Sequence, residues 1–128
     1  MSNVLSDEEF YRQTLEQGGA SRHPVSGTVP NRGYMVGSAR DRMGEPFAEK
    51  NYSVDAFSVD HIRHHAREIR ERFGDNTQVH QGSWIHEGNV YLDAAERLTN
   101  KRAAVRTAKL RGQKAIYDLR GGQDIPTS

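Results

Sequence analysis

The chain contains no cysteine, which excludes disulfide bonds and thiolate metal sites. It also lacks any apolar run approaching the roughly 18 to 20 residues that a membrane-spanning helix needs. The first ten residues include Asp7, Glu8 and Glu9, in place of the basic and then apolar pattern of a secretory signal. We therefore expect a soluble, cytoplasmic protein that does not contact membranes.

Neither sign of charge is in clear excess, because 18 basic residues nearly balance 17 acidic ones. A net charge of +1 gives no overall attraction to nucleic acid, so any electrostatic function requires local clustering. Hydrophobic residues make up 34% of the 128 residues, against roughly 45–50% in typical globular chains when glycine is counted as well. We expect a single domain with a small core and substantial loops.

Three segments carry helix signals. Ser6 and Glu9 form a capping-box pattern ahead of Phe10 and Tyr11, which predicts a short amphipathic helix. Apolar residues recur at spacings of three and four between Ser58 and Gly74, which predicts the longest helix. A third helix is predicted from Thr99 or Asn100 to Arg111, and it is the most basic of the three.

Apolar runs predict the strands. Gly33–Gly37 contains a short strand bracketed by glycines, and Ala115–Leu119 forms a closing strand. Trp84–Asp93 contains a hairpin whose turn lies in the glycine-containing break between Ile85 and Val90. Tyr52, Val54 and Phe57 are candidates for an edge strand.

These elements predict an α+β fold, in which a mostly antiparallel sheet of three to four strands is covered on one face by two helices. We assign residues 1–32 to an N-terminal helical arm and linker, residues 33–122 to the α+β core domain, and residues 123–128 to a C-terminal tail.

The motifs Gly33–Gly37, Trp84, Gly88–Asp93 and Gly112–Leu119 resemble segments of small uncharacterised proteins encoded by actinobacterial phages and related mobile elements. The resemblance implies a phage accessory role, carried out in the host cytoplasm. It implies no catalytic residues, because no activity is established for such proteins.

Aromatic residues give the leading functional hypothesis. Trp84 lies on a predicted strand, while Phe10 and Tyr11 lie on the predicted arm, and exposed Trp and Tyr are enriched among interface hot spots. Core packing is the default role for such residues. We predict a non-enzymatic accessory or structural protein that acts through a protein partner or by self-association, with Trp84, Phe10 and Tyr11 as contact residues.

The basic helix gives the alternative hypothesis. Residues 100–114 contain no Asp or Glu, and the cations there could contact a phosphate backbone. The cations proposed for nucleic-acid binding are Lys101, Arg102, Arg106, Lys109 and Arg111. Lys and Arg are also good helix formers, and Asp93 and Glu96 are near enough to neutralise part of the charge.

A histidine–metal enzyme is the third hypothesis. His61 and His65 are spaced by four residues on the long predicted helix and could share a metal ion. The helix lacks a His-Glu-x-x-His motif, and the chain shows no nucleophile elbow or phosphate-binding glycine loop. Asp93 and Asp118 could form a carboxylate pair, although such residues more often cap turns. We assign no catalytic residue, metal ion or cofactor.

Overall fold

A computed structural model describes residues 3–127 and confirms the α+β class. Met1, Ser2 and Ser128, which belong to the predicted arm and tail, lie outside the described residues. Residues 3–127 form three helices and seven strands. In chain order the elements are α1 (Asp7–Gln17), β1 (Gly19–Arg22), β2 (Tyr34–Val36), β3 (Lys50–Ser53), α2 (Val59–Phe73), β4 (Val79–His86), β5 (Asn89–Leu98), α3 (Lys101–Leu110), β6 (Ala115–Asp118) and β7 (Gln123–Pro126).

The strands form one antiparallel sheet in the order β1-β4-β5-β2-β6-β7. Strand β5 is central: its first half pairs with β3 and its last residues pair with β2 along the same edge. Between these two partners, the backbone N–H of Ala39 donates to the carbonyl of Ala94 over 3.1 Å. The sheet therefore has seven strands, more than the three to four predicted, because β1, β3 and β7 are only four residues long and lack a clear hydrophobic alternation.

The predicted hairpin is the longest pairing in the sheet. Strands β4 and β5 have eight and ten residues and are joined at Glu87 and Gly88. Both turn residues have positive φ, 50° and 79°, as a type I′ turn requires. A two-residue turn fixes the register, so Trp84 lies opposite Tyr91 and Gly82 lies opposite Asp93.

Alternation along β5 separates the two faces of the sheet. Val90, Leu92 and Ala94 are buried on one face, which we call the inner face, and their neighbours point to the other, the outer face. On the inner face, α1 and α2 cover the β4–β5 region, while α3 packs on β2 and β6 through Ala104 and Ala108. All three helices of the described chain pack on the inner face, one more than the two predicted, because α1 also covers the sheet.

The predicted N-terminal arm is a structural part of this core. Phe10 of α1 is 0% exposed and packs with Phe57, Ile62, Val90 and Leu92. Strand β1, which begins the predicted linker, pairs with β4. At the other end of the chain, β7 lies within the predicted tail and pairs with β6 of the core.

A series of buried and partly buried polar contacts also connects the N-terminal segment to the sheet. The guanidinium of Arg22 donates to Asp7 Oδ1 at 2.8 Å, to Gln81 Oε1 at 2.8 Å and to the carbonyl of Leu5 at 3.1 Å. The Gln81 amide in turn donates to the carbonyl of Ile62 and to Nδ1 of His65, both at 2.9 Å. These contacts connect α1, β1, β4 and α2 in one network.

Candidate functional site

The centre of the outer face carries a stacked aromatic pair. Trp84 and Tyr91 are cross-strand neighbours, and their ring planes are 12° apart with centroids separated by 5.2 Å. Trp84 is 37% exposed. On its other side the register partner is Gly19, which has no side chain to cover the indole. Trp84 therefore offers the exposed aromatic surface that its prediction as a contact residue requires.

Tyr91 was not predicted as a contact residue, although its ring stacks on Trp84. The pairing could have been predicted, because a two-residue turn at Glu87 and Gly88 places Trp84 opposite Tyr91. Such directly opposed aromatic residues interact favourably on an antiparallel sheet, so the pair holds its rings in a fixed arrangement.

An unpaired carboxylate lies beside the aromatic pair. Asp93 follows Tyr91 on the same face and leans over Gly82, where an added Cβ would lie 2.6 Å from Asp93 Oδ1. Burial, together with the nearby negative charge of Glu49, raises the pKa of Asp93 to about 6. Within residues 3–127 Asp93 forms no salt bridge. Burial also raises the pKa of Glu49, so this part of the face disfavours negative charge while lacking a cation.

The other two predicted contact residues are not part of this face. Phe10 was predicted to contact a partner, but the structure corrects this, because its side chain fills the core beneath α1. Tyr11 is partly buried and stacks on Phe57 with ring centroids 5.3 Å apart. The error arose because α1 was interpreted as a peripheral arm, whereas its apolar positions pack on strands far along the chain.

The five cations of the basic helix differ in their contacts. Arg111 is bound to Glu96 by a 2.6 Å salt bridge, which confirms the expected neutralisation by Glu96. Asp93, the other acid expected to neutralise the helix, lies on the outer face and forms no salt bridge within residues 3–127. The other four cations proposed for nucleic-acid binding are exposed and form no salt bridge within the described chain; they are Lys101, Arg102, Arg106 and Lys109. Because α3 packs on the inner face, these cations lie apart from the Trp84–Tyr91 pair.

The predicted carboxylate pair does not form. Alternation places Asp118 on the face opposite to Asp93, since its neighbour Tyr117 pairs with Met35 on the outer side. Asp118 instead accepts hydrogen bonds from the backbone N–H groups of Arg120 and Gly121. Its role is to cap the turn between β6 and β7.

The two candidate metal ligands on α2 are engaged in other contacts. His61 Nδ1 accepts the backbone N–H of Ser58 at the start of the helix, and the ring stacks on Tyr52 at 3.8 Å. His65 is 1% exposed, and its Nδ1 accepts from Gln81. Burial lowers the pKa of His65 to about 3. Within residues 3–127, no three His, Asp or Glu side chains are grouped to hold a metal ion, so the pair receives no support as a metal site.

In the described chain, each helix is too short or too polar to cross a membrane. Comparison with protein-family models, curated proteins and solved structures gives no match for this chain. The geometry of the outer face and of α3 is therefore the basis for assigning a function.

Proposed function

We propose that the chain is a non-enzymatic binding protein whose outer sheet face takes a protein partner that presents a Lys or Arg side chain. The observation that carries this proposal is the unpaired Asp93 carboxylate next to the exposed Trp84–Tyr91 stack. A phage accessory or structural role, which the resemblance to phage-encoded proteins implies, would fit such a binding protein and remains part of the proposal.

The aromatic pair and the carboxylate suit one kind of side chain. A Lys or Arg side chain can lay its apolar stem along an aromatic ring and place its charge over the ring face or against a carboxylate. Successive outer-face residues on β5 are about 6 to 7 Å apart, so Tyr91 and Asp93 are both within reach of one long side chain. A partner's cation would also relieve the cost of keeping Asp93 ionised in a half-buried position.

A peptide-selection experiment tests the proposal. A displayed library of random peptides is selected against the full chain, and the winners are measured against the parent, Trp84→Ala and Asp93→Asn. We expect the winners to be enriched in Lys or Arg, and each substitution to weaken binding at least tenfold, corresponding to about 1.4 kcal/mol. Leu110→Ala is the control, because Leu110 is the large apolar residue exposed on α3.

Two outcomes would count against this function. One is a set of selected peptides without basic residues, and the other is equal binding to the parent and to Asp93→Asn. The molar mass in solution is measured in parallel. A dimer that Trp84→Ala converts to a monomer would identify a second copy of the chain, in place of another protein, as the partner.

Nucleic-acid binding through α3 is the second candidate, and one observation favours it. The four cations Lys101, Arg102, Arg106 and Lys109 are exposed and have no acidic partner in the described chain, so they are free to contact phosphates. Four phosphate contacts would reduce affinity for duplex DNA by roughly 100-fold between 50 and 200 mM salt.

The double substitution of Arg102 and Arg106 by Gln tests this candidate. We expect it to weaken duplex binding. The slope of log affinity against log salt concentration should also decrease by the amount that about two phosphate contacts contribute. Arg12→Gln on α1 is the matched control, because Arg12 is also an exposed helical arginine. A parent protein that does not bind duplex or single-stranded nucleic acid at 50 mM salt would eliminate this candidate.

A further inference from the structure

A cleft lined by both polar and apolar residues lies at the end of the sheet away from the β4–β5 turn. It has a volume of about 680 Å³ and is bounded by the segment between β1 and β2 and the segment between α2 and β4. His80 and Arg97, which both lie on the outer-face side of their strands, line it from the sheet. The cleft therefore adjoins the outer face without including Trp84 or Tyr91.

The charges of the cleft favour an anion. Arg32 and Arg97 line it and form no salt bridge within residues 3–127. The acidic residue of the cleft, Asp75, is paired with Arg70 at 3.5 Å. Two guanidinium groups therefore lack a counter-charge among the described residues. Arginine is the side chain best suited to bind phosphate oxygens through paired donors.

Arg97 is also held in a fixed position. Its Nη1 donates to the carbonyl of Arg32 at 3.2 Å, and its Nη2 donates to Gln78 Oε1 at 3.1 Å. Each of these nitrogens carries a second hydrogen, and Nε–H adds another donor. A ligand would therefore meet an arginine that is already ordered, which reduces the entropy lost on binding.

His80 supplies a hydrogen-bond acceptor of defined geometry. Its Nδ1 lies 2.8 Å from the carbonyl of Gln78, and because a carbonyl only accepts, Nδ1 carries the proton. In the neutral ring Nε2 is then an acceptor, and it has no partner in the part of the chain that the structure describes. Burial lowers the pKa of His80, which favours this neutral form.

The neighbouring His23, unlike His80, has no ring nitrogen left to bind a ligand, because both of its ring nitrogens contact the backbone. Its Nδ1 accepts the backbone N–H groups of Val25 and Ser26, and its Nε2 lies 3.0 Å from the carbonyl of Thr77. Both ring nitrogens are therefore occupied. The ring contacts His80 edge to face with centroids 5.5 Å apart, so His23 fixes the orientation of the His80 ring.

We propose that this cleft binds a phosphate ester that also carries a hydroxyl group, as a nucleotide does. Arg32 and Arg97 bind the phosphate oxygens, and Nε2 of His80 accepts a hydrogen bond from the hydroxyl group. Val25, Val29 and Pro30 form an apolar wall for the rest of the ligand. The site does not depend on a protein partner at Trp84 or on the cations of α3.

Amide NMR titration of the full chain tests this proposal with four probes: adenosine 5′-monophosphate, adenosine, inorganic phosphate and a short oligoadenylate. We expect the monophosphate to shift the backbone amide signals of the non-proline residues in 23–32 and 75–80. We also expect it to bind more tightly than adenosine or phosphate. Equal or tighter binding of the oligoadenylate, with shifts in the same residues, would identify a nucleic-acid strand as the source of the phosphate ester.

Three variants assign the contacts. Arg32→Gln and Arg97→Gln should each weaken binding of the monophosphate about tenfold or more, while Arg12→Gln should leave it unchanged. His80→Phe keeps an aromatic ring beside His23 and should weaken the monophosphate but leave inorganic phosphate unaffected. Arg32 contributes only its backbone carbonyl to the contacts described above, so Arg32→Gln keeps the test valid even if Arg97→Gln perturbs the fold.

The proposal is overturned if adenosine binds as tightly as its monophosphate. It is equally overturned if Arg32→Gln, like the control Arg12→Gln, binds the monophosphate with the affinity of the parent. Shifted amides that all lie outside the cleft would overturn it as well.

Discussion

Burial shifts the pKa values of Asp93 and His65 in the direction that favours each neutral form, and the two shifts make opposite contributions to stability as the pH changes. The pKa of Asp93 is raised from 3.8 to about 6, whereas the pKa of His65 is lowered from 6.5 to about 3. The folded state therefore binds a proton at Asp93 more readily than the unfolded chain does, and binds one at His65 less readily. Each effect can be measured separately by substitution.

Asp93→Asn should stabilise the protein at pH 8 by roughly 1 to 3 kcal/mol, because it removes a half-buried charge. In the parent, protonation of Asp93 neutralises this half-buried charge as the pH falls below about 6. The advantage of the variant should therefore shrink between pH 6 and 4. Urea unfolding at pH 4, 6 and 8 checks this, and a variant that is less stable than the parent at pH 8 would show that the ionised Asp93 is stabilising.

His65→Leu should flatten the acid dependence of stability. The stability due to neutral His65 is present above pH 6.5 and is lost as the pH falls towards 3. At pH 7 the variant's stability should differ from the parent's by less than about 1 kcal/mol, because the loss of an acceptor for the Gln81 amide is offset by removal of a buried Nε2–H that has no partner in the described chain. From pH 6.5 to 4, however, it should lose less stability than its parent. Measuring the unfolding free energy with and without His65→Leu in the Asp93→Asn background removes the opposite pH dependence that Asp93 contributes. Parallel dependence of stability on pH in the two proteins would contradict the lowered pKa of His65.

Among the elements, α1 shows how tertiary packing changes the role of a helix. The capping box of Ser6 and Glu9 is present as predicted, with bonds of 3.0 and 3.1 Å. The sequence therefore predicts where this helix begins. Whether it packs on the sheet depends on Phe57, Val90 and Leu92, which lie far along the chain, and a local pattern contains no information on that contact.

Phe10→Ala should cost about 3 to 5 kcal/mol of unfolding free energy, as expected for a large aromatic residue removed from a core. Leu15→Ala on the same helix is the control and should cost less than about 1 kcal/mol, because Leu15 is 36% exposed. Urea denaturation of the two variants gives the comparison. Similar small losses would mean that α1 is a loosely attached arm, as the sequence alone suggested.

The strands differ in how far the sequence predicts them. The β4–β5 hairpin follows from its apolar runs and its Glu87–Gly88 turn, and α2 follows from its apolar spacing and the Ser58 cap. The predicted edge strand is confirmed only at Tyr52, which lies in β3 (KNYS), whereas Val54 and Phe57 follow that strand. Strand β1 has the sequence GASR, and its strand conformation depends on pairing with the long hairpin. It could not be predicted without knowing the hairpin edge that it joins.

For the molecule as a whole, the near-zero net charge conceals two different surfaces. Within residues 3–127, cations without an acidic partner lie on the exposed side of α3, and a carboxylate without a cation partner lies beside aromatic rings on the outer face. The sequence located the cations, because charge clustering on a helix is local. It could not predict the environment of Asp93, which depends on Gly82 across the hairpin and on Glu49 from the segment before β3.

The affinity of a selected basic peptide between pH 5 and 8, for the parent and for Asp93→Asn, tests the proposed function most directly. If the peptide's cation pairs with ionised Asp93, parent affinity should be constant above pH 6 and fall by up to about tenfold per pH unit below it. The variant should bind weakly, with no change across this range. Equal affinities at pH 8, or the same pH profile in both proteins, would contradict a cation-binding role for the outer face.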